Sequence, residues 1–225
     1  MISDKKIVII DYKAGNAASV LNAVMRVGYN AVFARQPQDL VGATHIILPG
    51  VGSAGATMES LREMNMIKPL EEAVLSEKVF FLGICVGMQI LYGYSEEKNS
   101  GCSENVKCLG WLKGRVVRYN QGKVRIPQMG WNRVDFKRNL LTNKQNDYFY
   151  FVNSYHVIPE NNSDVWGQAE YGEPFTAAVQ KGNIFATQFH IEKSGRAGLD
   201  LLSEYLYLKN VAGAKASLRD AWKEG

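Results

Sequence analysis

Val79-Phe80-Phe81-Leu82-Gly83-Ile84-Cys85-Val86-Gly87-Met88-Gln89 is an apolar run that ends in Gly-x-Cys-x-Gly. The run reads as a strand buried on both faces, and the pattern that closes it is that of a tight strand-to-helix turn. The serine form of this turn, Gly-x-Ser-x-Gly, presents a nucleophile on a strained backbone whose crowding the flanking small residues relieve. Here the nucleophile is a thiol, placed at the C-terminal end of a strand beside the N-terminus of the next helix. That position favours the thiolate, the form that attacks carbonyl carbon. A buried free cysteine is more often an inert packing residue. The two glycines tip the reading toward catalysis.

Working outward, Lys6-Ile7-Val8-Ile9-Ile10 is a second short apolar strand, and Val20, Leu21 and Val24 give Ala17–Val27 a helical period with Gly28 as its stop. Ala31–Ala34 and His45–Leu48 read as further strands, the latter running into Pro49-Gly50-Val51-Gly52, and a helix is expected over Ile67–Ser76. Strands and helices alternating at these lengths imply a parallel sheet with its functional loops at the C-terminal strand ends. After about residue 110 the texture changes. Val116–Tyr119, Tyr148–Val152 and Thr176–Val179 read as strands separated by turns, and Asn183–Phe189 as a last strand that delivers His190. Ser194–Leu208 is then an amphipathic helix with a serine at its N-cap. The expected class is α/β, a three-layer sandwich around a mostly parallel central sheet with an added antiparallel region. Residues 1–209 are expected to form a single domain, and 210–225 a terminal helix, tail or linker.

A chain of 225 residues with 46% hydrophobic and 21% charged residues has the composition of an ordinary globular enzyme. The net charge of +4, without a run of like charges, gives no footprint for nucleic acid or an anionic membrane. Three cysteines are an odd number in a long chain, which favours free thiols in a reducing compartment. The N-terminus leads directly into a strand with no signal-peptide pattern, and no apolar stretch reaches membrane-spanning length. A cytoplasmic enzyme is expected. The chain has no Cys/His cluster at metal-ligand spacing and no dinucleotide fingerprint, so neither metal nor organic cofactor is expected.

A thiolate requires a base, and the base a partner that orients it. Of the three histidines, His45 opens a strand and reads as structural, while His156 is ambiguous. His190 ends a buried strand and is followed two residues later by Glu192, which in an extended segment faces the same side and can fix the tautomer of the ring.

Gly83–Gln89 together with Gln188-Phe189-His190-Ile191-Glu192-Lys193-Ser194 resembles the class I (triad) glutamine amidotransferase family. Within it, Pro49–Gly52, Pro127-Gln128-Met129-Gly130-Trp131-Asn132 and Tyr150-Phe151-Val152-Asn153-Ser154-Tyr155 resemble the glutaminase subunits of imidazole glycerol phosphate synthases, and the likeness runs to about Leu208. The resemblance implies a triad of Cys85, His190 and Glu192 that hydrolyses glutamine through a glutamyl thioester. It implies an oxyanion hole from the Val86 N–H and the Val51–Gly52 segment, and a glutamine pocket from Gly52, Gln89, Glu97, Asn153, Ser154 and Tyr155. It also implies a heterodimer with, or fusion to, a (β/α)8-barrel cyclase. That partner receives the ammonia and makes imidazole glycerol phosphate for histidine biosynthesis, with Asn16, Gln128, Trp131 and Lys193 facing it.

Two positions depart from the family pattern. Ile191 stands where the family usually has proline, which implies a looser His190–Glu192 segment. Gln128 replaces a histidine, which bears on contacts near the partner. These departures leave open a paralogous glutaminase feeding another acceptor, such as a surface sugar. A non-catalytic regulatory protein on the same fold is the alternative from another class.

Overall fold

The computed structural model describes residues 5–13, 16–76, 78–97, 104–137 and 146–208. The tail expected from residue 210 lies outside them. The first half supplies β1 (Ile7–Ile10), α1 (Ala17–Arg26), β2 (Ala31–Ala34), β3 (His45–Leu48), α2 (Ala54–Glu63), α3 (Ile67–Leu75), β4 (Phe80–Ile84) and the single turn α4 (Val86–Gln89). The second half is mainly strand: β5 (Tyr94–Ser95), β6 (Val106–Lys107), β7 (Gly114–Arg118), β8 (Gln128–Phe136), β9 (Asn146–Asn153), β10 (Tyr155–Pro159), β11 (Val165–Glu170), β12 (Pro174–Lys181) and β13 (Ile184–Thr187), closed by α5 (Gly195–Tyr207).

β2, β1, β3, β4 and β13 pair in that order, all parallel. Every residue of β1, β3, β4 and β13 is buried, as expected for strands covered on both faces. β2 is the edge, and its Val32 is exposed. The crossover from β1 to β2 runs one way along the sheet, and those from β2 to β3 and from β3 to β4 run the other. Right-handed crossovers therefore put α1 on one face and α2 and α3 on the opposite face. α5 packs on α1 and completes the three layers. Beyond β13 the sheet continues through β12, β10, β7, β5 and β6, with β11, β8 and β9 branching from β12 through antiparallel pairs. The α/β reading and the added antiparallel region both hold.

Three details differ from the sequence reading. α2 was not anticipated, because its opening Ala54-Gly55-Ala56-Thr57 has little apolar period; Ser53 nevertheless caps it by accepting the Ala56 N–H at 3.2 Å. Ser194 stands at the N-cap of α5 without capping it. Its hydroxyl donates to the His190 carbonyl and accepts the Tyr150 N–H at 3.0 Å, tying the turn that carries His190 to β9. β8 and β11 run through Gly130 and Gly167, residues that read as breaks in a strand pattern.

His45 is a core residue, wedged between the rings of Phe80 and Tyr205 at centroid separations of 5.2 and 5.3 Å. Burial, aided by the nearby Lys5 charge, pushes its imidazole down to about 4. The folded state therefore holds His45 neutral at a pH where the unfolded chain has already protonated it. Stability should fall as pH drops from about 6.5 toward 4, by roughly 3 kcal/mol from this group when the drop is complete. Chemical denaturation of the protein and of His45→Phe at pH 7 and pH 4.5 checks this, since the variant should lose less on acidification.

Candidate active site

β4 ends at Ile84, and Cys85 follows with φ 53° and ψ −108°, a conformation that L-residues rarely adopt. Three glycines allow that turn to exist. A Cβ on Gly83 would stand 2.5 Å from the Gly87 carbonyl oxygen, and one on Gly50 2.5 Å from the Gly87 nitrogen. One on Gly87 would strike the Leu48 carbonyl oxygen of β3. The Gly-x-Cys-x-Gly spacing thus reflects close packing of α4 against β3, β4 and the Pro49–Gly52 loop. The helix that follows Cys85 is a single turn. One turn carries little macrodipole, and the side chains of His190 and Gln188 stand against the sulfur.

His190 follows β13 and opens a 3₁₀ turn over Ile191–Lys193. Its Nδ1 lies 2.8 Å from Glu192 Oε1, and its Nε2 is left for Cys85. Burial works to lower the His190 imidazole, but hydrogen bonds to Cys85 and Glu192 and their charges carry it up to about 10. Burial likewise acts to raise the Glu192 carboxyl, and the His190 and Asn16 contacts outweigh it and hold that group below the usual carboxylate range. The looser geometry expected from Ile191 is not seen: Ile191 is buried in the core and the His190–Glu192 bond is short. α5 can approach this turn because Gly198 has no Cβ to strike the Ile191 carbonyl.

Cys85 and His190 open into a cavity of about 290 Å³ that is also lined by Val51, Gly52, Val86, Gln89, Glu97, Pro127, Val152, Asn153, Ser154, Tyr155 and Lys193. The cavity thus gathers Cys85 and His190 with the residues expected for the oxyanion hole and the substrate, while Glu192 stands behind His190 and does not line it. Val86 opens α4, where first-turn N–H groups have no acceptor within the helix. The Val51 amide lies against the Tyr12 hydroxyl, which donates to the Pro49 carbonyl at 2.9 Å. Glu97 Oε2 accepts the Ala54 N–H at 2.8 Å, while burial raises its carboxyl above the ordinary range despite that bond. Gln89 donates to the Tyr155 carbonyl at 3.0 Å and to Gln188 Oε1 at 3.1 Å.

The residues expected at a partner surface divide. Trp131 and Lys193 are exposed, whereas Asn16 and Gln128 are buried. Asn16 Nδ2 donates to Glu192 Oε1 at 3.0 Å, and Gln128 Oε1 accepts the Tyr119 hydroxyl at 3.2 Å. Both amides satisfy internal polar groups and present no free surface in this chain. His156 is also interior, stacked on Tyr119 at 4.6 Å. Gln188, a residue of the His190 motif to which the sequence assigns no role, has its Nε2 3.6 Å from Cys85 Sγ. The signal for it is an amide side chain two residues before Glu192's partner His190, at the end of a buried strand.

A thiol, an imidazole held by a carboxylate, and backbone amides around a small cavity are a set suited to acyl transfer from an amide. Residues 8–206 match the family model described as Glutamine amidotransferase class-I. The chain belongs to that family. Among its relatives, imidazole glycerol phosphate synthase subunit HisH of Methanocaldococcus jannaschii is 42% identical, over 89% of this chain and 98% of the relative. Subunit HisH 2 of Methanococcus maripaludis is 40% identical over the same shares. The subunit HisH of Vibrio parahaemolyticus is 38% identical, over 92% of this chain and all of the relative. The fold of this amidotransferase also matches the structure of PurLQS from Thermotoga maritima, with a TM-score of 0.71 at 20% identity, over 91% of this chain and 99% of that one. A crystal structure of a glutamine amidotransferase matches with a TM-score of 0.70 at 21% identity, over 92% and 98% of the two chains.

Proposed function

We propose that this chain is the glutaminase subunit of an imidazole glycerol phosphate synthase, hydrolysing glutamine to glutamate and ammonia for a cyclase partner. The observation that carries the reading is the Cys85–His190–Glu192 array in a cavity, within a chain about 40% identical to HisH subunits along nearly its whole length. Cys85 Sγ attacks the side-chain amide carbon of glutamine after passing its proton to His190 Nε2. The tetrahedral oxyanion is met by the Val86 N–H and by the Val51–Gly52 loop. His190 then protonates the departing nitrogen, ammonia leaves, and a glutamyl thioester remains. Water activated by His190 hydrolyses the thioester to glutamate and restores the thiol. Glu192 keeps His190 in the productive tautomer, and Asn16 holds Glu192. Gln89, Glu97 and the Asn153–Tyr155 backbone bind the amino-acid end of the substrate; Glu97 is placed for its ammonium group.

Ammonia is protonated and lost in water, so its producer is useful beside its consumer. The ladder between β8 and β9 pairs Met129 with Val152, Trp131 with Tyr150 and Arg133 with Tyr148. On this face Met129, Trp131 and Tyr148 are 65%, 56% and 57% exposed. Pro127, Val152 and Lys193 continue it into the cavity. We place the partner there, a (β/α)8-barrel cyclase that takes the ammonia for histidine biosynthesis. Among the described residues no helix is long and apolar enough to cross a membrane, and the proposed compartment is the cytoplasm. Residues 1–209 are proposed as one amidotransferase domain, supported by the single sheet that joins all its described strands.

An electrophilic glutamine analogue should label Cys85 alone, read by peptide mass, and excess glutamine should protect it. Labelling of another residue would contradict the site. Trp131→Ala should weaken cyclase binding about tenfold or more, as loss of a central aromatic anchor does. Titration calorimetry with the purified cyclase measures this, and unchanged affinity would move the interface elsewhere.

A further inference from the structure

We infer that Gln188 is a catalytic residue, whose side-chain amide donates a hydrogen bond to the Cys85 sulfur and holds it as the nucleophilic thiolate. The inference rests on the reading of Cys85 as nucleophile and adds a donor that the triad does not include. The Tyr155 carbonyl oxygen can only accept, so Gln89 must turn its Nε2 toward it, at 3.0 Å. The second hydrogen of that nitrogen goes to Gln188 Oε1 at 3.1 Å. With its oxygen so committed, Gln188 has its Nε2 facing Cys85 Sγ at 3.6 Å. Turning over the Gln89 amide would set oxygen against oxygen at Tyr155. Turning over Gln188 would set donor against donor at Gln89. The backbone carbonyl thus fixes both amides, and the chain of donors ends on sulfur.

The contact matters most after the proton has left. As a thiol, Cys85 can point its hydrogen toward the Val152 carbonyl, 3.9 Å away. Once the proton has passed to His190 Nε2, that carbonyl offers nothing to the sulfur, and Gln188 remains as a donor. Gln188 is fully buried, so water does not compete for the bond. An amide of this kind would be costly to bury for packing alone. The chargeable groups around the sulfur are His190, backed by Glu192, and the Tyr12 and Tyr119 hydroxyls. Burial pushes both phenols well up, Tyr12 to about 12, so they stay neutral across the working range. Gln89 and Tyr155 also line the substrate cavity, so the same chain of bonds links the pocket to the nucleophile.

The test is the pH profile of Cys85 alkylation by iodoacetamide, followed at the Cys85 peptide by mass, in the wild-type protein and in Gln188→Leu and Gln188→Glu. Gln188→Glu keeps the shape and the acceptor for Gln89 but turns an oxygen to the sulfur. Hydrogen bonds to charged groups predict about a tenfold or greater loss of alkylation rate near neutral pH, with the profile displaced to higher pH. In Gln188→Glu, which keeps the Gln89 bond, the kcat for glutamine should fall in parallel, with KM nearly unchanged. Circular dichroism selects the variants that fold; a folded variant with a wild-type alkylation profile overturns the proposal. Alkylation needs no glutamine turnover. A displaced profile in a protein that never hydrolyses glutamine would therefore sink the glutaminase reading and leave the Gln188 contact standing.

Discussion

Cys85→Ala should abolish glutamine hydrolysis and leave the fold and the partner face intact. The alanine removes the one atom that bonds to the substrate carbon, and no neighbouring group can replace it. Residual turnover should fall at least about a thousandfold, within the range seen when a nucleophile is removed from a triad. The substitution also separates chemistry from backbone strain. Cys85 sits at φ 53°, and alanine inherits that cost, whereas glycine does not. Cys85→Gly should therefore be more stable than Cys85→Ala by about 1–2 kcal/mol, and equally inactive. Denaturant titration of the two variants measures the difference. Equal stability would mean that the elbow is not strained, and retained glutamate release in either would remove Cys85 from the mechanism.

Gly87→Ala should be almost as damaging to activity, by a different route. The added methyl would collide with the Leu48 carbonyl of β3, which is backbone within the central sheet and cannot swing away. Overpacking of this kind costs about 1–3 kcal/mol, and the relief available is to push α4 outward. That shift would carry Val86 and Cys85 away from His190 and the Pro49–Gly52 loop. A displacement of about 1 Å suffices for roughly a hundredfold loss of rate. Steady-state kinetics of Gly87→Ala beside its melting curve distinguish the cases. Near-normal kcat would show that the elbow tolerates more space than its contacts imply.

The parallel half of the fold and the nucleophile turn were legible because their residues are dictated locally. Continuous apolar runs such as Ile7–Ile10 and His45–Leu48 suit strands covered on both faces, and glycines flank Cys85 wherever two backbones nearly touch. The antiparallel half was less legible. β8 and β11 carry glycines in mid-strand and owe their pairing to distant partners, which no local pattern records. Polar residues were the hardest to place. Only the family resemblance sets Asn16 and Gln128 at a partner face, yet each is buried here against another polar side chain. Gln188 followed the same rule, with the sulfur as its partner.

Glutamate release is the decisive measurement, made with the protein alone, with a purified cyclase, and with the cyclase loaded with its nucleotide substrate. Glutaminase activity that rises strongly in the loaded complex, and is lost with Cys85→Ala, is the expected result. Hydrolysis indifferent to the cyclase, or no hydrolysis in the loaded complex, would contradict the assignment of this chain as the ammonia source of an imidazole glycerol phosphate synthase.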